Sequence, residues 1–154
     1  MIKHVRVDHR LLHGQVVFAW TQSEKVNYII VLDDEVAKDE FRKMTLSLVK
    51  PANVGLSIIG FNELEGTLIK NKDKKIMVIV KGTKEAKKLI ETVPSIKEIN
   101  YGGIKQKPGS KEITPAVYLT NEELKDSNAI LNTGVKIYMQ QVPTSKKEKF
   151  KGNF

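Results

Sequence analysis

Short runs of valine and isoleucine alternate with stretches of helical period along this chain, and that alternation limits the folds open to it. "NYIIVL" (27–32), "VGLSII" (54–59) and "KIMVIV" (75–80) are continuously apolar, without the polar alternation of a strand that has one wet face. Strands of that kind are buried on both sides, as in parallel sheets whose crossover helices cover both faces. The pattern predicts one α/β domain with a mainly parallel central sheet, helices on both faces, and an active loop between strand 1 and helix 1.

The first strand is read as Val5–Val7, breaking at Asp8, and Leu12, Val16, Ala19 and Trp20 follow at helical spacing. In "DDEVAKDEFRKMTLSLVKP", Asp33 or Asp34 is placed to cap a helix that Pro51 closes. Asn62 with Glu65 opens a short helix, and Thr83 is the expected N-cap of one that runs through Thr92. Glu98–Tyr101 ends in Gly102-Gly103, read as a sharp backbone feature or structural turn, and "KQKPGSK" reads as a loop with a Pro-Gly turn. Ala116–Leu119 is strand-like, and Thr120 with Glu123 forms a capping box whose helix stops at Gly134. Val135–Val142 is the last expected strand. The tail from about residue 145, in "TSKKEKFKGNF", is expected to be mobile or loosely attached.

The net charge of +8 invites a nucleic-acid partner, but lysine outnumbers arginine 23 to 3 and acids are mixed among the lysines. Fork-like recognition of bases and phosphates favours arginine. No nucleic acid is expected. The chain lacks cysteine, so disulfides and thiolate chemistry are excluded. Its apolar runs are too short for a bilayer span, and the segment after Met1 reads as strand rather than signal peptide, so a cytoplasmic home is expected.

All three histidines, His4, His9 and His13, and two of the three arginines, Arg6 and Arg10, fall within the first thirteen residues. In a parallel sheet, ligands bind beyond the carboxyl ends of the strands, where "RVDHRLLHGQVVFAW" (6–20) places its polar residues. A helix starting near Gly14 presents free N–H groups and the positive end of its dipole, a natural anion site. Gly14 admits close approach of the main chain, and Arg10 supplies a planar cationic fork for phosphate oxygens. His13 is the group that could react, because neutral imidazole is nucleophilic without a separate base. The same residues also fit a histidine that caps or packs at a helix start, and a loop that holds a phosphorylated small molecule without a covalent bond. A metal site built from His4, His9 and His13, with Asp8 as a fourth ligand, fits no zinc spacing, so no metal is expected.

"RVDHRLLHGQV" resembles the active-site signature of the IIB component of the mannose class of the bacterial phosphoenolpyruvate-dependent sugar phosphotransferase system. "DDEVAKDEFRKM", "INYGGI" followed by "KPG", and "GVKIYMQQVPT" are similar to that family in the same order, from about residue 3 to residue 144. The resemblance implies that His13 takes a phosphoryl group, through Nδ1, from a phosphohistidine of the IIA component. It then passes the group to a sugar held by the membrane IIC and IID components. Arg10 and the main chain at Gly14 and Gln15 would bind the phosphoryl oxygens. The implied protein is a cytoplasmic phosphotransferase, peripheral to the membrane transporter, commonly a homodimer and without a cofactor.

His9 departs from the pattern, since many relatives carry an acid there; an imidazole could donate to phosphate or stay neutral. Asp8, Asp34 and Thr83 are further candidates for the border of the site, although capping is the favoured role of Asp33, Asp34 and Thr83. Trp20 is expected in the core. Mannose, fructose, sorbose and N-acetylgalactosamine all remain open as the sugar, with a lean to the amino sugar from the region around "VPSIKEINYGG".

Overall fold

The computed structural model describes residues 1–152. The chain runs β1 (Ile2–Asp8), α1 (Gly14–Glu24), β2 (Tyr28–Leu32), α2 (Glu40–Ser47), β3 (Gly55–Ile59), α3 (Leu64–Lys70), β4 (Ile76–Val80), α4 (Thr83–Thr92) and β5 (Glu98–Gly103). It continues through β6 (Lys111–Thr114), β7 (Val117–Leu119), α5 (Asn121–Asn132), β8 (Lys136–Met139) and β9 (Glu148–Phe150). Seven strands form one sheet in the order β3-β2-β4-β1-β5-β8-β9. Among the described residues, only β9 runs antiparallel to its neighbour in this sheet, and β6 and β7 pair antiparallel in a separate small sheet. The expected mainly parallel α/β sheet is the observed one.

Side-chain alternation splits the core into two layers. Ile30, Leu32, Val78 and Val80 pack with Ala86, Leu89 and Ile90 of α4 on one face. Ile29, Val31, Met77 and Ile79 pack with Val17 and Trp20 of α1 on the other. Each fully buried Ile or Val contributes about 1.5–3 kcal/mol by leaving water. On the central strand β1, Val5 and Val7 join the α4 layer, which leaves His4, Arg6 and Asp8, all buried, on the face toward α1. The helices after β1 and β4 cover opposite faces, so the carboxyl ends of these adjacent strands flank a switch in connection direction.

Several local expectations hold. Thr120 and Glu123 form the capping box, through Glu123 N to Thr120 Oγ1 at 3.2 Å and Thr120 N to Glu123 Oε1 at 2.9 Å. Gly134 follows α5 with φ +93. Trp20 is core. Others are corrected. Asp39, not Asp33 or Asp34, caps α2, because Asp33 is taken up by a 3-10 turn whose Val36 N donates to its carboxylate at 3.0 Å. Thr83 is not a cap: Gly82 holds that position, and the Thr83 hydroxyl instead donates to Asp126 of α5 at 2.8 Å.

Gly102 and Gly103 make no turn; they end β5 as extended residues. The tail is not loose up to Phe150, because β9 covers the edge of β8 and buries the Phe150 ring 6.3 Å from Tyr101. The last strand is therefore β9, and the Val135–Val142 strand shortens to Lys136–Met139. Residues 153 and 154 of the expected tail lie outside the described residues.

Candidate active site

The loop from His9 to His13 leaves the end of β1 and is held by what it buries. Leu11 and Leu12 enter the α1-side core, and Leu11 N donates to Asp8 O at 2.9 Å. Leu11 takes φ +58, a conformation that costs a branched residue roughly 1–2 kcal/mol and that the buried leucines and turn bond hold in place. With those two side chains inside, His9 and His13 are exposed and Arg10 is half-buried.

His13 is the N-cap residue of α1, with φ −123 and ψ 108, and its carbonyl accepts from Val17 N at 2.9 Å. Its imidazole makes no capping bond, which removes the side-chain capping role weighed from the sequence. The first turn of α1 carries no acid, so nothing there neutralises the positive helix end at Gly14 and Gln15. A Cβ on Gly14 would find its nearest atom 3.9 Å away on Val49, so contacts within the chain do not require glycine there.

Arg10 is oriented by Asp8. Its Nε donates to Asp8 Oδ1 and its Nη2 to Oδ2, both at 3.1 Å, and its main-chain N donates to Oδ1 at 3.0 Å. Asp8 also accepts from Arg6 Nη2 at 3.1 Å. Burial alone would raise the Asp8 pKa, but the Arg10 hydrogen bonds and the two guanidinium charges outweigh it and hold the carboxyl below its usual range. His9 Nδ1 lies 3.2 Å from Gly103 O, with the ring partly open to solvent.

Sequence reasoning missed Arg6, which is fully buried. Its Nη1 donates to Asn100 Oδ1 at 2.7 Å and to Gln140 O at 3.3 Å, and Asn100 Nδ2 donates to the same carbonyl at 3.0 Å. The Arg6 head group lies 5.9 Å from the centre of the Trp20 ring, and His4 stacks on Trp20 at 4.3 Å. The signal was present as three polar residues, His4, Arg6 and Asp8, at alternate positions of the first strand. The two β5 glycines are explained by the same wall: a Cβ on Gly102 would collide with the Arg6 guanidinium, and one on Gly103 would press on Asp8 Oδ1 at 3.2 Å.

The three histidines are not brought together, since His4 is buried against Trp20 while His9 and His13 are exposed. Among the described residues no three His, Cys, Asp or Glu side chains are grouped to hold a metal. Asp34 turns away to accept from Phe61 N at 2.8 Å, and buried Thr83 faces α5. Asp33, Asp34, Glu35 and Lys81 instead line a separate crevice of about 550 Å³ to which residues 9–13 contribute nothing. No helix among the described residues is long and apolar enough to cross a membrane.

Residues 2–153 match the family described as PTS system sorbose subfamily IIB component. The N-acetylgalactosamine-specific phosphotransferase enzyme IIB component 1 of Escherichia coli is 30% identical over 93% of this chain and 92% of its own length. The crystal structure of that component superposes with a TM-score of 0.91, covering 97% of this chain and 99% of that one. The fructose-specific EIIB component of Bacillus subtilis is 29% identical, with 94% and 90% covered. The mannose-specific EIIAB component of Escherichia coli is 28% identical over 94% of this chain, which spans 45% of that longer protein. With a match over nearly its whole length and a shared fold, this chain belongs to the sorbose subfamily of IIB components of the sugar phosphotransferase system.

Proposed function

We propose that His13 is the residue that carries the phosphoryl group, received from a phosphohistidine on a IIA component and passed to a sugar held by membrane IIC and IID components. The observation that carries this reading is the exposed His13 imidazole, free of a capping bond at the open end of α1. Arg10, held by Asp8, is the cation of the same loop, three residues before His13.

The first step makes one P–N bond and breaks one. A neutral ring nitrogen of His13, Nδ1 as the family resemblance implies, attacks phosphorus. The donor imidazole leaves with the electron pair of its own P–N bond and takes up the proton that the His13 ring gives up. In the second step a sugar hydroxyl attacks phosphorus, and the P–N bond breaks with its electron pair going to the His13 ring. The hydroxyl proton passes to that ring, which leaves as neutral imidazole. Alignment and charge compensation are what such a reaction asks of a protein. Arg10, the main-chain N–H groups at Gly14 and Gln15, and the α1 dipole supply them, with His9 able to add a donor. Two imidazoles of similar chemistry make the first step nearly thermoneutral, as suits a carrier.

The EIIAB name of the mannose relative supports a IIA component as the donor. Relatives at 27–30% identity are named for fructose, N-acetylgalactosamine, mannose and sorbose, so the lean to an amino sugar rests on the region around residues 93–103. Action at the cytoplasmic side of the transporter, as a homodimer, completes the proposal; a monomeric mass by light scattering excludes the dimer. The deciding experiment is incubation with phosphoenolpyruvate, the general phosphotransferase components and a IIA component, followed by intact-mass and peptide mass spectrometry. One acid-labile phosphoryl group on His13, absent in His13→Ala, is expected. An unchanged mass with tight binding of phosphorylated sugar would make the loop a non-covalent binding site instead.

A further inference from the structure

We infer that Arg6, a residue that touches neither solvent nor the exposed loop surface, is the positioning residue that leaves Arg10 its positive charge toward a phosphoryl group. The inference rests on the reading of His13 and Arg10 given above and adds a part that reading does not contain.

The Asp8 carboxylate is shared. Arg10 takes both of its oxygens through Nε and Nη2, and Arg6 adds a bond from Nη2 to Oδ2. With Arg10 alone, the carboxylate would cancel the guanidinium in a neutral pair and present little net field to a dianion. Two guanidiniums on one carboxylate leave a surplus of one positive charge. Arg6 is fully buried, so the surplus is expressed at Arg10, the member open to solvent. The carboxylate still does its work, because it fixes the Arg10 fork in one orientation.

The surroundings of Arg6 are built for this role. Asn100 and the Gln140 carbonyl hold Nη1, the Trp20 ring lies over the head group, and Gly102 gives up its side chain so that the guanidinium fits. Among the described residues the Arg6 Nε has no hydrogen-bond partner, so burying this guanidinium carries a desolvation cost. The ionisable groups facing the pair are few. His9 Nδ1 lies 3.9 Å from Asp8 Oδ1, and His4 of β1 and Tyr138 of β8 flank Arg6. His4 is held neutral at ordinary pH, so neither neighbour replaces the Arg6 charge.

The test compares Arg6→Met with Arg6→Lys in the full chain, after loading of wild-type His13 has been established by mass; failure of that loading would sink the His13 reading itself. Arg6→Met is expected to slow transfer from the IIA component at least tenfold. It should also raise the Asp8 titration midpoint, read by carboxyl carbon NMR, by about one pH unit, and move the acid limb of the transfer profile with it. Arg6→Lys, which keeps the charge and loses the fork, should stay within about threefold of wild type and keep the Asp8 midpoint low. Equal losses in both variants, or an unmoved Asp8 midpoint in Arg6→Met, would overturn the inference and leave Arg6 a packing residue. Should Arg6→Met fail to fold, Arg6→Gln, which keeps an amide donor without the charge, takes its place with the same expected losses. Wild-type transfer or an unmoved Asp8 midpoint in a folded Arg6→Gln would overturn the inference.

Discussion

Two groups of charged residues lie at the carboxyl ends of neighbouring parallel strands, and they differ in the sign of what is left over. After β1, one buried aspartate, Asp8, meets two arginines. Past the ends of β2 and β4, one cation, Lys81, meets two acids, Asp33 at 3.2 Å and Glu35 at 3.4 Å. Burial opposes the Lys81 charge, yet the hydrogen bonds and charges of Asp33 and Glu35 prevail and raise its pKa. The first group keeps a positive surplus at the start of the loop that leads to exposed His13 and the open end of α1; the second keeps a negative one. The carboxyl ends of the strands supply places for ligands, and the local balance of charge decides which of them suits an anion.

The largest effect is expected at the first group. His13→Ala should lose phosphoryl uptake entirely while Tm stays within a degree or two, because an exposed side chain without a capping bond stabilises little. A large fall in Tm would make His13 a structural residue and dissolve the contrast. Arg10→Lys should leave His13 open to phosphorylation but slow transfer by roughly 10- to 100-fold, since a point charge cannot keep both Asp8 bonds and face phosphate. Wild-type rates would show that the fork is not needed.

A pH effect sharpens the comparison from below. Burial first, and then the Arg6 charge, push the His4 pKa down from 6.5 to about 3. The unfolded chain therefore takes up a proton in this window that the folded chain refuses. Stability contributed by neutral His4 is present above pH 6.5 and is lost as pH falls toward 3, at about 1.4 kcal/mol per pH unit. Urea unfolding at pH 7, 5.5 and 4.5 should show this slope in the wild type and a shallower one in His4→Phe, which keeps a ring on Trp20. Equal slopes would mean that His4 is not the group excluded from protonation.

The smallest effect is expected at the second group. Lys81→Met should cost on the order of 1 kcal/mol, because Lys81 is partly exposed while Asp33 loses its cation, and transfer should stay within twofold. A tenfold loss of transfer would join the two groups into one site.

Much of this was legible in the residues, unevenly. The continuously apolar runs led to the parallel sheet, and the Thr120–Glu123 box and Gly134 marked the ends of α5, because these signals depend on neighbours a few positions apart. The histidine loop was legible for the same reason: helix-end chemistry and the end of a strand are local. The misreadings fell where a residue spends its side chain on a distant partner. Thr83 looked like a cap until Asp126 claimed its hydroxyl, and Gly102-Gly103 looked like a turn until Arg6 and Asp8 explained the missing side chains. The tail looked free because only the edge of β8, across the sheet, gives Phe150 a place to bury.

By itself the sequence determined the α/β class and the position of the candidate site after the first strand, since periodicity and helix-end electrostatics act over a few residues. Its resemblance to the family singled out His13 as the residue proposed to react. The tertiary structure alone decided how Asp8 and Arg10 are charged and held. Arg6 meets Asn100 across 94 residues and the Gln140 carbonyl across 134. Parallel strands joined by crossover helices bring distant segments into register, and no local period records which residues will then face one another across the sheet.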